Sequence, residues 1–192
     1  MTAARRSERT QSELVRAMFT RIARRYDLMN SLMTGGRHHA WRRLIAAAVV
    51  TAPAGPALDL ATGTADLALA LRAAMPWRRV IGVDFSEAML REARAKCAAR
   101  GELGVALLAG EALALPFADQ TFACVASAFL LRNLADLPAG LAEMRRVTMP
   151  GGLVAALEIV RPAVPGWDAL FGLYFGRLVP LIGALVARER AA

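Results

Sequence analysis

Ala57–Asp66 reads ALDLATGTAD, and the fold follows from how those residues divide. Ala57, Leu58 and Leu60 are apolar enough for a buried parallel strand, and the small residues Ala61 to Thr64 end it. Asp66 then opens a helical pattern carried by Leu67, Leu69, Ala70 and Leu71. The predicted unit is a strand, a tight turn and a helix N-terminus. At such a turn a ligand can approach the backbone closely at Gly63, and the first free N–H groups of the helix point outward. There is no Gly-Lys-Ser/Thr phosphate loop, and the glycine spacing is not G-x-G-x-x-G.

Toward the C-terminus, Val80 to Val83 predicts a second strand that ends at Asp84. In a right-handed βαβ unit the tip of the second strand lies beside that of the first. Asp84 therefore falls next to the glycine turn, where a carboxylate can accept both hydroxyls of a ribose at once. Ser86 is placed to cap the next helix, which runs to about Arg100 and stops at Gly101. A third strand is predicted over 104–109 and a fourth over Phe122–Phe129. A helix over Ala135–Val147 and a sharp turn at Pro150–Gly152 follow, then a fifth strand, LVAALEIV. Strand and helix alternate, which predicts an α/β fold with a doubly wound, mostly parallel sheet and a ligand crevice at the carboxyl ends of its strands. Asp59, Asp84, Glu111 and the Phe129–Asn133 loop converge on that edge, with Asp59 and Asp84 as neighbours at its rim.

Toward the N-terminus, apolar residues recur at Leu14, Val15, Met18, Ile22 and Tyr26, giving a helix over Glu13–Arg25 with an arginine-rich outer face. After the break at Gly35-Gly36 a second helix runs through Trp41, Leu44, Ile45 and Ala48. Two cap helices thus precede the sheet. His38 and His39 are adjacent and are not expected to share a helix face, so no metal site is predicted. One domain of 192 residues divides into the cap (1–54), a cofactor-binding core (55–161) and an apolar helical segment (162–192).

The formal charge is +8 and the pI about 11.0, but the excess is nearly all arginine, with Lys96 the sole lysine. That pattern reads as compositional bias. No aromatic-flanked basic patch accompanies it, so no nucleic-acid partner is predicted. Cys97 and Cys124 lack metal or disulfide spacing. The N-terminal residues lack the apolar run of a secretory signal, which predicts a cytoplasmic protein. Trp167–Ala187 is almost wholly apolar but interrupted by Asp168, Arg177 and Pro180. It reads as an interfacial or substrate-covering helix pair rather than a span, with a core helix as the alternative.

The strings FTRIARRYDLMNSLMTGGRHHAWRR, DLATGTAD, GVDFSEAML, LPFADQTF, AFLLRNLADL, EMRRVTMPGGLV and LVPLIGALVA carry a resemblance. In order and spacing they resemble the ubiquinone/menaquinone biosynthesis C-methyltransferases, class I S-adenosylmethionine-dependent enzymes, from Val15 to Ala187. The resemblance implies S-adenosylmethionine as cofactor and a prenylated quinol as substrate, with the ring, benzo or naphtho, left open. It implies that Asp59 and the Gly63 turn hold the methionine part. Thr64, Asp84, Glu111 and Ala112 fall at cofactor contacts, Asp84 on the ribose and Glu111 near the adenine. Tyr26, Arg132 and Asn133 fall at the reacting end, where Arg132 stabilises a phenolate or relays its proton while Asn133 and Tyr26 orient the ring. Partners implied are the quinol, a peripheral contact with the inner face of the cytoplasmic membrane, and a homodimer.

Three departures from the family pattern bear on that expectation. Ala65 replaces a common glycine, which is tolerable if its φ stays negative. Glu111 replaces a shorter Asp or Asn. The sequence stops at Ala192, where the family continues with a further substrate segment, a helix and a strand pair, leaving the fifth strand as an open edge. Two other readings compete: a methyltransferase of the same fold for another small molecule, and a shortened, non-catalytic binding or scaffold protein.

Overall fold

The computed structural model describes residues 15–160. The predicted apolar segment at 162–192 lies outside the described residues. Among those described, no helix is long and apolar enough to cross a membrane.

Five strands form one sheet: β1 (Ala57–Leu60), β2 (Val80–Asp84), β3 (Val105–Ala109), β4 (Phe122–Ala128) and β5 (Thr148–Leu157). Their order is β3-β2-β1-β4-β5 and every pair is parallel. The chain starts in the middle, winds outward to β3, then crosses to β4 and β5. The order therefore reverses beside β1, and the crevice opens there, at the carboxyl ends of β1 and β4.

Helices cover both faces. On one lie α3 (Arg37–Ala48), α4 (Asp66–Ala74) and α5 (Glu87–Ala99), packed through Ile45, Ala46, Val49, Leu67, Leu71, Ala93 and Cys97 onto Ala57, Val80, Cys124 and Ala126. On the other, α6 (Leu137–Val147) sets Met144 and Val147 against Leu58, Leu60, Val83, Phe122 and Val125. This follows from strand periodicity, since alternate residues of β1 feed opposite faces. The N-terminal cap is α1 (residues 15–22), a 3₁₀ turn at Ala23–Arg25, and α2 (Tyr26–Thr34). The predicted single helix over Glu13–Arg25 is thus interrupted, and the motif YDLMN starts a helix of its own.

Three local expectations need correction. Pro150–Gly152 is not a turn before the fifth strand but part of β5, where the pairing with β4 shifts register between Phe122 and Cys124. A bulge accommodates proline and glycine in a strand. β4 stops at Ala128 because Phe129 takes φ +64°. Ala65 does not keep a negative φ. It stands at +69° as the N-cap of α4, and its methyl is packed into the core beneath that helix. Ser86 caps α5 as expected, its side chain accepting from the Met89 N–H.

Candidate active site

The turn after β1 sets the geometry. Ala61, Gly63 and Ala65 have φ of +57°, +56° and +69°, so three of five consecutive residues are left-handed. For the two alanines this costs about 1–2 kcal/mol each. The strain is held by the Thr62 N–H donating to Val83 O (2.9 Å) and by the Thr62 hydroxyl donating to Asp59 Oδ2 (2.6 Å). Gly82 of β2 leaves the space for this approach, since a Cβ there would lie 2.8 Å from Thr62 Oγ1. The Gly63 N–H donates 2.8 Å to Asp84 Oδ2, and the Ser86 N–H donates 2.8 Å to Asp84 Oδ1. The Asp84 carboxylate is thereby fixed at the tip of β2, with acceptor capacity left on both oxygens. Burial raises its pKa above the usual carboxylate value, and the Ser86 and Gly63 N–H groups oppose that rise.

Beside this carboxylate lies a cavity open to solvent. Gly63, Asp84, Phe85, Met89, Glu111 and Ala112 form its sheet-side wall. Phe129, Asn133 and Leu134 form the far end, and Val15, Phe19 and Tyr26 form the cap side. The Tyr26 ring overlies the turn, because a Cβ on Gly63 would sit 3.7 Å from Tyr26 Cε1. Phe19 meets Tyr26 and Phe85 edge-on at 5.9 and 6.4 Å between centroids. Burial raises the Tyr26 pKa; Asn30, Arg42 and Arg132 pull it down. The Tyr26 hydroxyl therefore stays protonated at neutral pH and serves as a hydrogen-bonding group.

Of the residues singled out in the sequence, Tyr26, Gly63, Asp84, Glu111, Ala112 and Asn133 line this one cavity. Glu111 is engaged by Arg16 at 2.5 Å, and the same guanidinium lies 5.3 Å from the Phe85 ring centroid. The Asn133 amide donates 3.0 Å to Phe129 O. The other three stand off the cavity wall. Asp59, 1% exposed, lies beneath the turn with Oδ1 unpartnered, although β1 and β2 are adjacent as expected. Burial pushes its pKa up to about 7, against the Thr62 hydrogen bond and the Arg42 charge. The Thr64 hydroxyl donates 2.6 Å to Asp27 Oδ1. Arg132 pairs with Glu158 at 2.5 Å and lies 5.4 Å from the Phe129 ring centroid.

Sequence reasoning missed Arg42. It is buried in α3, hydrogen-bonded to His38 Nδ1, 3.7 Å from Asp66 Oδ2 and 5.3 Å from the Phe129 ring centroid. Arg132 lies at a similar distance, 5.4 Å, so two guanidinium groups contact Phe129, an aromatic ring held at a strained backbone angle on the cavity wall. No local motif marks that role. His38 and His39 also correct the premise that adjacency separates them: their rings lie 3.9 Å apart, and with Asp66 they bring ligand atoms within 4.8 Å of one another. Burial and the Arg42 charge push the His38 pKa down to about 4, so its ring is neutral at pH 7. The Arg42 guanidinium already supplies the positive charge between His38 and Asp66, where a metal ion would have to sit.

The residues present fit a nucleoside cofactor: a strand-tip carboxylate with free acceptor positions, a glycine turn a ligand can approach, and apolar walls from Phe85, Met89 and Ala112. The fold is of the α/β class to which solved methyltransferases belong. A solved S-adenosylmethionine-dependent methyltransferase of Aquifex aeolicus superposes with a TM-score of 0.58 at 21% identity, over 78% of this chain and 85% of that one. The ubiE/COQ5 methyltransferase family model matches residues 6–192, and the chain belongs to that family. It is 42% identical to the demethylmenaquinone methyltransferase of Deinococcus radiodurans, over 95% of this chain and 75% of the relative. The ubiquinone/menaquinone biosynthesis C-methyltransferase of Desulfotalea psychrophila is also 42% identical, over 93% of this chain and 71% of that protein.

Proposed function

We propose that this protein transfers the methyl group of S-adenosylmethionine to a ring carbon of a prenylated quinol, in menaquinone or ubiquinone biosynthesis. One observation carries the reading: in a chain of this family, the Asp84 carboxylate and the Gly63 turn face Tyr26 and Asn133 across a single cavity. When bound, the cofactor supplies an electrophilic methyl group on a good neutral leaving group. Asp84 accepts the ribose hydroxyls and Gly63 admits the methionine part, with Asp59 and Thr64 supporting the turn from behind. Ala112 packs on the adenine, and Glu111, shared with Arg16, takes its amino group.

The remaining chemistry is positional. Holding donor and acceptor in line at ~3–3.5 Å supplies several kcal/mol. The ring carbon is nucleophilic when the neighbouring phenol, with an ordinary pKa near ~10, is deprotonated. As the carbon–carbon bond forms the methyl–sulfur bond breaks, and the ring carbon then gives its proton to water in the solvent-open cavity, which restores the aromatic ring. Arg132, off the cavity wall against Phe129 and paired with Glu158, stabilises the phenolate by turning from Glu158 toward the ring; Asn133 and the Tyr26 hydroxyl orient the ring. The acceptor's prenyl chain places the encounter at the inner face of the cytoplasmic membrane, and flotation with anionic liposomes at low salt tests that placement.

Arg132→Ala decides the central assignment. The kcat with a demethylmenaquinol falls at least about tenfold while affinity for S-adenosylhomocysteine, measured by calorimetry, changes less than about threefold. Equal losses in both refute the role of Arg132. Absence of any calorimetric heat refutes the cofactor itself and favours a binding or scaffold protein.

A further inference from the structure

Lys96 is the one lysine among the chain's 24 lysine and arginine residues, and its setting uses an ammonium where a guanidinium would not serve. Its Nζ lies 2.5 Å from Asp27 Oδ2, 2.7 Å from Asp66 Oδ1 and 2.9 Å from Thr64 Oγ1. Three N–H donors meet three oxygens, one each from the cap helix α2, from α4 and from the turn after β1. A planar guanidinium cannot converge on three acceptors around one point. The Thr64 hydroxyl closes the ring by donating to Asp27 Oδ1. The Lys96 side chain is 17% exposed and that of Asp66 7%, whereas Asp27 is 42% exposed, so the bond to the cap is the one nearest the water.

What the ring joins matters more than its strength. No side chain of α2 is fully buried, Tyr26 coming nearest against Phe19 and over the Gly63 turn, so apolar packing gives the rest of the helix little hold on the body of the protein. Asp27 follows Tyr26, and Thr64 follows Gly63, so the bonds to Asp27 and Thr64 fix how the Tyr26 ring stands over the Gly63 turn. Val15, Phe19 and Tyr26 form the wall of the cavity opposite Asp84 and Glu111. A ligand held between those walls is covered on that side by the cap, so loosening the cap widens the opening.

We propose that Lys96 is a positioning residue whose ammonium latches the N-terminal cap over the cavity, and that release of this latch admits and discharges the ligand. The proposal rests on the methyl-transfer reading only for the ligand's identity.

Two measurements on the full chain test it. Without ligand, amide hydrogen exchange across residues 26–34 quickens at least tenfold in both Lys96→Met and Asp27→Asn, while β4 and α6 exchange as in the parent. Lys96→Arg recovers part of the protection. Unchanged exchange over 26–34, or an equal rise throughout the chain, overturns the latch, and Asp27→Asn keeps the test open should Lys96→Met fold poorly. In the parent, Lys96 is labelled by acetic anhydride with the N-terminal amine as reference. Saturating S-adenosylhomocysteine slows that labelling at least threefold. Undiminished labelling with nucleoside bound by calorimetry overturns the latch. No binding overturns the methyl-transfer reading instead, and the ligand-free exchange then decides the latch alone.

Discussion

The two faces of the sheet are built on different physics. Beneath α6 the contact is apolar: Leu58, Leu60, Val83, Phe122, Val125, Met144 and Val147 are all buried, and the Phe117 and Phe122 rings meet edge-on at 4.8 Å. Beneath α3, α4 and α5 the core carries a buried polar cluster of His38, Arg42, Asp59 and Asp66, with Lys96 at its rim. A purely apolar face supplies more stability for the same volume, since buried charges repay little of their desolvation. The face with the charges is the one under the turn and the cap. Stability and positioning are thus divided between the two sides of one sheet.

The comparison breaks most sharply at Phe122, fully buried on the apolar side. Phe122→Ala costs about 3–5 kcal/mol of unfolding free energy by removing a ring and leaving a cavity. No titratable group belongs to that cluster, so the loss is the same at pH 5 and pH 8. A loss that varies with pH between those values would show that the two faces are coupled.

The polar face responds to pH instead, and its two displaced groups oppose each other. Asp59 is raised from 3.8 to about 7 by burial, so between those values the folded protein keeps a proton that the unfolded chain has released. Stability from Asp59 is full below pH 3.8 and is lost as the pH rises to about 7. His38 is lowered from 6.5 to about 4, first by burial and then by Arg42, so in that window the unfolded chain holds the extra proton. Its contribution is full above pH 6.5 and is lost as the pH falls toward 4. The two slopes nearly cancel. Asp59→Asn exposes the His38 slope: chemical denaturation finds the variant gaining on the parent from pH 5 to pH 8, by up to a few kcal/mol, because each tenfold change in proton affinity on folding is worth about 1.4 kcal/mol. His38→Gln exposes the Asp59 slope and loses stability with rising pH over the same range. Parallel pH profiles for parent and variants would remove the opposition.

Much of the apolar framework could be read from the sequence, whereas the polar cluster largely could not. Strand, turn and helix around Ala57–Asp66 follow from hydrophobic spacing, and the Asp84 position follows from the handedness of a βαβ crossover. The Ser86 cap is a local signal of three residues. The ring at Lys96 draws on residues 27, 64, 66 and 96, and only the assembled fold brings them together. The Arg16–Glu111 pair is as distant in sequence, so the carboxylate that the family resemblance assigns to the adenine has a partner no motif announces. His38 and His39 show the opposite error, where a rule about helix faces separated two rings whose centroids lie 3.9 Å apart.

Ala65 gives the smallest effect and the finest test of where positioning ends and packing begins. Its φ of +69° is costly for alanine, and Ala65→Gly relieves about 1 kcal/mol or a little more. The same change removes a methyl wholly buried in the α4 side of the core, worth ~0.8 kcal/mol, and frees the unfolded backbone by a further ~0.4–1 kcal/mol. The terms leave a net change within about 1 kcal/mol, read as a midpoint moved by only a few degrees. Because the methyl points into the core and not the cavity, affinity for S-adenosylhomocysteine stays within about twofold. Were affinity to rise tenfold at unchanged stability, the residue would belong to the cofactor's surroundings, and the boundary between the two kinds of face would have to be redrawn through the turn itself.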